Sequence, residues 1–363
     1  MTLPRLEIDL GKIEHNAHTL VTRLARSGIS VMGVTKAVLG DPEIAAVLLR
    51  SGVSGLGDSR IENIETMRRA GIRSEITLIR TPMLSQIDRV VRHADMSFNT
   101  ELDVIAALSS AAQKSNKTHG VVLMVELGDL REGIMPGDML KTVEATLAFP
   151  NIVFKGIGAN LACLSGISPG KANMVALSDL ADSIDAKFGP ITDIVSGGNS
   201  ANIEWALSGA DTGRINNLRL GEAILFGCEA LHRLPIDGLH QDAITLVAEV
   251  IETKIKPSLP WGNVAQNAFG EINHFSDRGP TSRAIVAIGR QDIDPTGISP
   301  PPGFEILGAS SDHLVLDVSS GHVCVGDEIP FQINYSAFLR AMTSPFVEIG
   351  PSSNPRVLAA TTL

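Results

Sequence analysis

The chain is short of the residues on which several protein classes depend. It has one tyrosine, Tyr335, and two tryptophans, Trp205 and Trp261, in 363 residues, too few for the aromatic platforms on which single-stranded nucleic acids stack. Its three cysteines, Cys163, Cys228 and Cys324, are too scattered for a disulfide framework or a closed structural zinc site, so reduced thiols are expected. No run of Lys and Arg offsets the formal net charge of -10. Phosphate-backbone binding needs clustered cations, so no nucleic-acid partner is expected. No stretch approaches the roughly 20 apolar residues that span a bilayer, and the N-terminus lacks the charged-then-apolar layout of a signal peptide. The expectation is a soluble, cytoplasmic protein with no membrane partner.

What is present can bury a full core: the hydrophobic content is 44%, and the length allows a barrel-sized domain plus a smaller one. From residue 31 to about 228, short apolar runs alternate with helical spacing. The candidate strands are Val31 to Thr35, Gly55 to Gly57, Ile76 to Ile79, Met96 to Phe98, Val121 to Glu126, Ile152 to Gly158, Asp193 to Ser196 and Asn217 to Leu220. Eight such units predict an α/β fold with a closed, TIM-like (β/α)8 barrel. Ser59 followed by Glu62 reads as a capping box for the second helix. After about residue 235 the runs become strand-like, with Gly, Pro and Asp between them, which predicts a C-terminal β-domain. The expected division is residues 1–235 for the barrel and 236–363 for the β-domain, with the opening segment Leu6 to Leu10 a possible extra strand of the latter. Asp292 to Gly303 reads as a loop and Pro351 to Leu363 as a loosely held tail.

Chemistry begins at Lys36, which ends the buried run Val31-Met32-Gly33-Val34-Thr35 and is followed by the turn Gly40-Asp41-Pro42. A strand that delivers one amine to its C-terminal rim offers a Schiff-base lysine or a snorkelling cap. Barrel enzymes keep their chemistry at that rim, so the polar residues ending the other strands form a set: Arg131, Asn160, the turn Ser196-Gly197-Gly198-Asn199-Ser200, and Arg219-Leu220-Gly221-Glu222. The turn at Ser200 and a second one opened by Gly221, after the last two strands, read as a phosphate cradle.

The motifs Gly33-Val34-Thr35-Lys36, Gly57-Asp58-Ser59-Arg60-Ile61-Glu62-Asn63, Gly158-Ala159-Asn160-Leu161 and Ala341-Met342-Thr343-Ser344-Pro345 resemble, in order and spacing, the alanine racemase class of pyridoxal-phosphate enzymes, its ornithine racemase branch above all. The resemblance runs from about residue 5 to residue 346. It implies a pyridoxal 5'-phosphate cofactor, a homodimer, and racemisation of an amino acid, a small-molecule substrate, by two bases, with ornithine or another basic amino acid the first to test. It makes Lys36 the cofactor-bearing lysine and one base, and sets Arg219 at the pyridine nitrogen, Arg131 near the phenolic oxygen and Asn160 beside the ring. Asn199, Ser200 and the backbone of Gly221 and Glu222 would bind the phosphate.

Three positions depart from the class pattern: Gly40 stands for a phosphate-binding tyrosine, Met124 for a modified lysine that supports the barrel arginine, and Arg290 for the tyrosine that acts as second base. A guanidinium is a poor proton carrier, which leaves Tyr335 as the candidate base, then Asp292 and His313. Arg290 could bind the substrate carboxylate, and Glu62, Asp292 or Asp312 a basic side chain. His322 and Cys324, two apart on an expected strand, form a weak metal-type pair. The alternatives are therefore a metal-assisted D-amino-acid aldolase or dehydratase on the same scaffold and a non-catalytic pyridoxal-phosphate carrier.

Overall fold

The computed structural model describes residues 3–272 and 275–351. The chain divides into two compact units, one formed by Leu10–Gln241 and the other by Met1–Asp9 with Asp242–Leu363.

The first unit opens with helix α1 (Leu10–Ala25) and then closes eight parallel strands into a barrel. The strands are β2 (Ser30–Val34), β3 (Gly55–Asp58), β4 (Ile76–Leu78), β5 (Met96–Asn99), β6 (His119–Val125), β7 (Ile152–Ala159), β8 (Ile194–Gly198) and β9 (Asn217–Leu220). β9 returns to β2 with Met32 opposite Arg219. Between strands run α2 (Pro42–Arg50), α3 (Ile61–Arg69), α4 (Ile87–His93), α5 (Leu102–Lys114), α6 (Met139–Leu147), α7 (Lys171–Phe188) and the short α8 (Ile203–Leu207), and α9 (Glu222–Phe226) follows the last strand. Every residue of β6 is buried, as expected of a strand covered on both faces. Inside the barrel, Met96, Phe98, Val122 and Met124 pack together. Each strand carries its last side chains to one rim, which is where the chemistry collects.

The expected capping box at Ser59 and Glu62 does not form. Asp58 itself accepts from the backbone N–H of Arg60 (2.9 Å) and from Asn63 Nδ2 (3.0 Å). Glu62 is drawn instead to Arg89 and Gln86 on the next unit.

In the second unit β1 (Arg5–Ile8) pairs with β10 (Ile244–Pro257) and with β16 (Glu348–Pro351). The sheet continues through β11 (Pro280–Val286), β12 (Ile298–Ser299), β13 (Glu305–Ala309), β14 (Leu314–Asp317) and β15 (Glu328–Ile333), in the order β12-β15-β10-β11-β14-β13. Helix α10 (Tyr335–Thr343) follows β15. Arg5 fastens β1 by holding both Glu7 and Glu328 at 2.7 Å. The segment expected as a loop from Asp292 carries β12, which pairs Ile298 with Ile333. Of the expected tail, Pro351 belongs to β16 and the rest lies outside the described residues. No helix among the described residues is long and apolar enough to cross a membrane.

Candidate active site

β2 ends at Val34, Thr35 anchors its hydroxyl on Asp58 Oδ2 (2.8 Å), and Lys36 opens a single helical turn on the barrel rim. No hydrogen bond or ion pair engages the Lys36 amine among the described residues. Solvent reaches the side chain, yet the surrounding protein strips enough water from the amine to lower its pKa. Arg131 and Arg219 push it further down, against the opposing pull of Cys163 and Asp58.

Arg219, from β9, is 5% exposed. It donates to Ser196 Oγ (2.7 Å), to the Ala159 carbonyl (2.8 Å) and to Asn160 Oδ1 (3.3 Å), and lies over the Phe98 ring. Desolvation pushes its pKa down to about 10, which still leaves it charged at neutral pH. The Asn160 carboxamide is the hub of this cluster. In one orientation its oxygen serves Arg219 and Asn199 Nδ2, and in the flipped one it accepts from both terminal nitrogens of Arg131 at 3.2 Å. Arg131 also grips the carboxylate of its neighbour Glu132. Glu132 thus takes over the orientation of Arg131, while Met124 is absorbed into the apolar barrel interior.

The two expected anion-binding turns lie side by side. Ser200 Oγ accepts from the backbone N–H of Ala223 (3.1 Å), tying the turn after β8 to the start of α9. Asn199 caps its own turn by accepting from Ala201 N–H (2.8 Å). Gly198 has a φ of 149°, and a Cβ there would stand 2.1 Å from Asn202 Oδ1, so only glycine allows the turn. Gly40 is constrained in the same way: a Cβ would fall 2.7 Å from the Asn63 carbonyl. No side chain at position 40 can reach a phosphate.

Four further residues belong to this rim. Asp58 is fully buried, and desolvation raises its pKa against the hydrogen bonds from Arg60, Thr35 and Asn63. It ends β3, so the strand-end rule that singled out Lys36 reaches it too. Glu132 and the exposed Cys163, whose Sγ lies 3.4 Å from Asn199 Nδ2, carried no local signal. Asp129 is 1% exposed and clamps the turn after β7: its carboxylate accepts from the backbone N–H groups of Cys163 (3.2 Å), Leu164 (3.0 Å) and Ser165 (3.1 Å).

A model of the alanine racemase N-terminal domain matches residues 8–229. The chain belongs to the alanine racemase family. A lysine racemase from Thermotoga maritima is 41% identical over 350 residues, covering 96% of this chain and 98% of the relative. An ornithine racemase from Acetoanaerobium sticklandii is 39% identical over 349 residues, covering 95% and 98%. The crystal structure of an alanine racemase from Streptomyces lavendulae superposes with a TM-score of 0.74 at 17% identity, over 98% of this chain and 99% of that one. The fold is therefore that of the family, and the chain is an amino-acid racemase of it.

The remaining candidates of this alanine racemase family member lie in the β-domain unit. Arg290 is committed to Glu271, each terminal nitrogen donating to one carboxylate oxygen at 3.0 Å, with its guanidinium 4.3 Å from the Phe269 ring. As folded it holds a protein carboxylate where a substrate carboxylate was expected, and the partner lies 19 residues away in sequence. Asp292 accepts from Ser344 Oγ (2.6 Å), and Asp312 is engaged by His313 (2.8 Å). Tyr335 is the half-buried first residue of α10, in a helix capped by Asn334. His322 and Cys324 sit in a turn, not a strand: Cys324 N–H donates to Asp327 Oδ2 (2.8 Å), and Sγ is 3.6 Å from the imidazole. Among the described residues they join no group of three or more His, Cys, Asp or Glu side chains able to hold an ion.

Proposed function

We propose that this protein is a pyridoxal-phosphate-dependent racemase of a basic amino acid, lysine or ornithine, that works as a homodimer. The observation that carries the reading is the Lys36 amine: unpartnered, desolvated and flanked by Arg131 and Arg219 at the barrel rim. The choice of a basic substrate rests on the 41% and 39% identity to lysine and ornithine racemases over nearly the whole chain.

The residues present fit the cofactor. The Lys36 amine, free of hydrogen bonds and ion pairs, is what an aldehyde requires, and the adjoining turns at Ser200 and Gly221, tied by the Ala223 N–H to Ser200 Oγ bond, gather a hydroxyl and backbone N–H groups for an anionic group. Lys36 would hold the cofactor covalently, Ser200, Asn199 and the backbone of Gly221 and Glu222 its phosphate, Arg219 its ring nitrogen and Arg131 its phenolic oxygen. When bound, pyridoxal phosphate supplies the electron sink that acidifies the substrate's α-hydrogen. Arg219 stays protonated and cannot accept a further proton, so it acts as a fixed donor and limits that sink. Ser196 Oγ and the Ala159 carbonyl hold the Arg219 guanidinium in place. Lys36 Nζ moves the proton on one face of the α-carbon, and Tyr335, the chain's only tyrosine, is our choice for the opposite face, supplied by the partner's β-domain. Tyr335→Phe then lowers racemisation by about 10²-fold while α-hydrogen exchange from one enantiomer persists; equal loss of both would remove Tyr335 from this role.

The depressed Lys36 pKa sets a pH dependence. Covalent capture requires the unprotonated amine, so the rate of uptake by cofactor-free protein rises with pH and levels off below the usual lysine value of 10.5. A stopped-flow profile with its midpoint at or above that value would contradict the desolvated site. The substrate class is tested by comparing kcat/KM for L-lysine, L-ornithine and L-alanine. At least a tenfold preference for the basic pair is expected, equivalent to about 1.4 kcal/mol; a preference for alanine would overturn it.

A further inference from the structure

The opposite rim of the barrel, away from Lys36, carries a cavity of about 1010 Å³ where the chain enters β4, β5, β6 and β7. In a protein of net charge -10, its lining is basic: Arg68, Arg69, Arg73, Arg92 and Lys117. Arg68 is committed to structure, pairing with Asp95 (2.6 Å) and donating to the carbonyls of Ile72 and Ser74. The other four form no ion pair among the described residues, although Arg69 lies near enough to Glu65 to help lower its pKa behind Arg89. Arg69 donates to the Glu65 carbonyl and Thr66, Lys117 to the Arg92 carbonyl (3.0 Å), and the guanidinium groups of Arg73 and Arg92 have no partner among the described residues. Beside them, the His93 pKa is lowered chiefly by desolvation, with Glu65 raising it and Arg92, Lys117 and Arg68 lowering it.

Cations at helix C-termini are ordinarily explained by the helix dipole, and α3, α4 and α5 all end here. Each terminus offers about half a negative charge, felt only within its last turn. Three of them cannot balance four uncommitted cations, and Arg73 and Lys117 stand beyond the helices in the connections to the strands. We infer that this basin binds a small oligophosphate, whose several charges are packed closely enough to engage Arg69, Arg73, Arg92 and Lys117 together. Guanidinium groups pair two at a time with carboxylate and phosphate oxygens alike, so it is the several closely spaced charges needed to engage four cations together that favour an oligophosphate over a monocarboxylate. The confinement of the cations to one cavity on an acidic protein suits a small ligand better than a nucleic-acid backbone.

The test is calorimetric titration of the protein saturated with pyridoxal phosphate, so that the rim around Lys36 is filled, using sodium tripolyphosphate in one arm and ATP in the other. One site per chain is expected, with a Kd below about 1 mM at low salt, weakening as salt rises. Comparable affinity for the two probes assigns the phosphate chain alone as the ligand, and tighter ATP binding assigns a nucleoside polyphosphate. The double variant R73E/R92E should weaken binding at least tenfold and R73Q/R92Q by less, both retaining amino-acid racemisation. The absence of saturable binding with either probe, or an unchanged Kd in R73E/R92E, overturns the inference.

Discussion

Replacing Lys36 by alanine abolishes covalent capture of pyridoxal phosphate and lowers racemisation by at least about 10³-fold, the scale expected when a proton-transferring group is lost together with the anchor of the reaction. The side chain stands free on the rim, with no hydrogen bond or ion pair for the fold to lose, so Lys36→Ala should unfold with the same denaturant midpoint as the parent. This separates loss of chemistry from loss of structure. Borohydride reduction followed by peptide mapping should place a pyridoxyl group on Lys36 in the parent and on no residue in the variant. An adduct on another lysine, or a variant that keeps a tenth of the activity, would contradict the assignment.

The second large effect is expected at Asp129, which touches no reacting group. Its carboxylate is 1% exposed and satisfies three consecutive backbone donors of the turn that follows Asn160. Asp129→Ala orphans all three. Bonds to a charged acceptor are worth about 1.5 to 3 kcal/mol each and are not additive within one cluster, so a destabilisation of about 3 to 5 kcal/mol is expected by urea unfolding. Asp129→Asn keeps one carbonyl oxygen for the turn and should cost less. The same turn presents Asn160 and Cys163 to Asn199, so the alanine variant should also lose cofactor affinity. If it loses stability but binds pyridoxal phosphate as before, Asp129 serves the fold alone.

The barrel was legible because its strands are short apolar runs buried on both faces, and the cluster at its rim was legible because barrel topology sends the residue after each strand to one end. Lys36, Arg131, Asn160, Asn199, Ser200 and Arg219 could thus be collected before any contact was known, and the structure brings Asn160 within bonding distance of Arg131, Asn199 and Arg219. What escaped depends on contacts between distant segments. Arg290 read as a free cation until its partner Glu271 appeared. The capping box at Ser59 failed because the helix starts one residue later, with Arg60 at its N-cap donating to Asp58, and because Arg89 claimed Glu62. Met124 looked like a lost support for Arg131, yet adjacent Glu132 supplies one. Tyr335 was singled out by its chemistry rather than its place in the chain; Asn334 accepts from Ala337 N–H (3.0 Å) and starts a helix there.

The most direct test of the central claim is incubation of the protein and pyridoxal phosphate with L-ornithine or L-lysine in deuterated water, following deuterium at the α-carbon and the D enantiomer together. The account predicts that both appear, with no release of an aldehyde or keto acid. Failure of the α-hydrogen to exchange would leave a carrier without chemistry, and a keto acid or aldehyde in place of the D enantiomer would mean that the rim around Lys36 breaks bonds other than the one proposed.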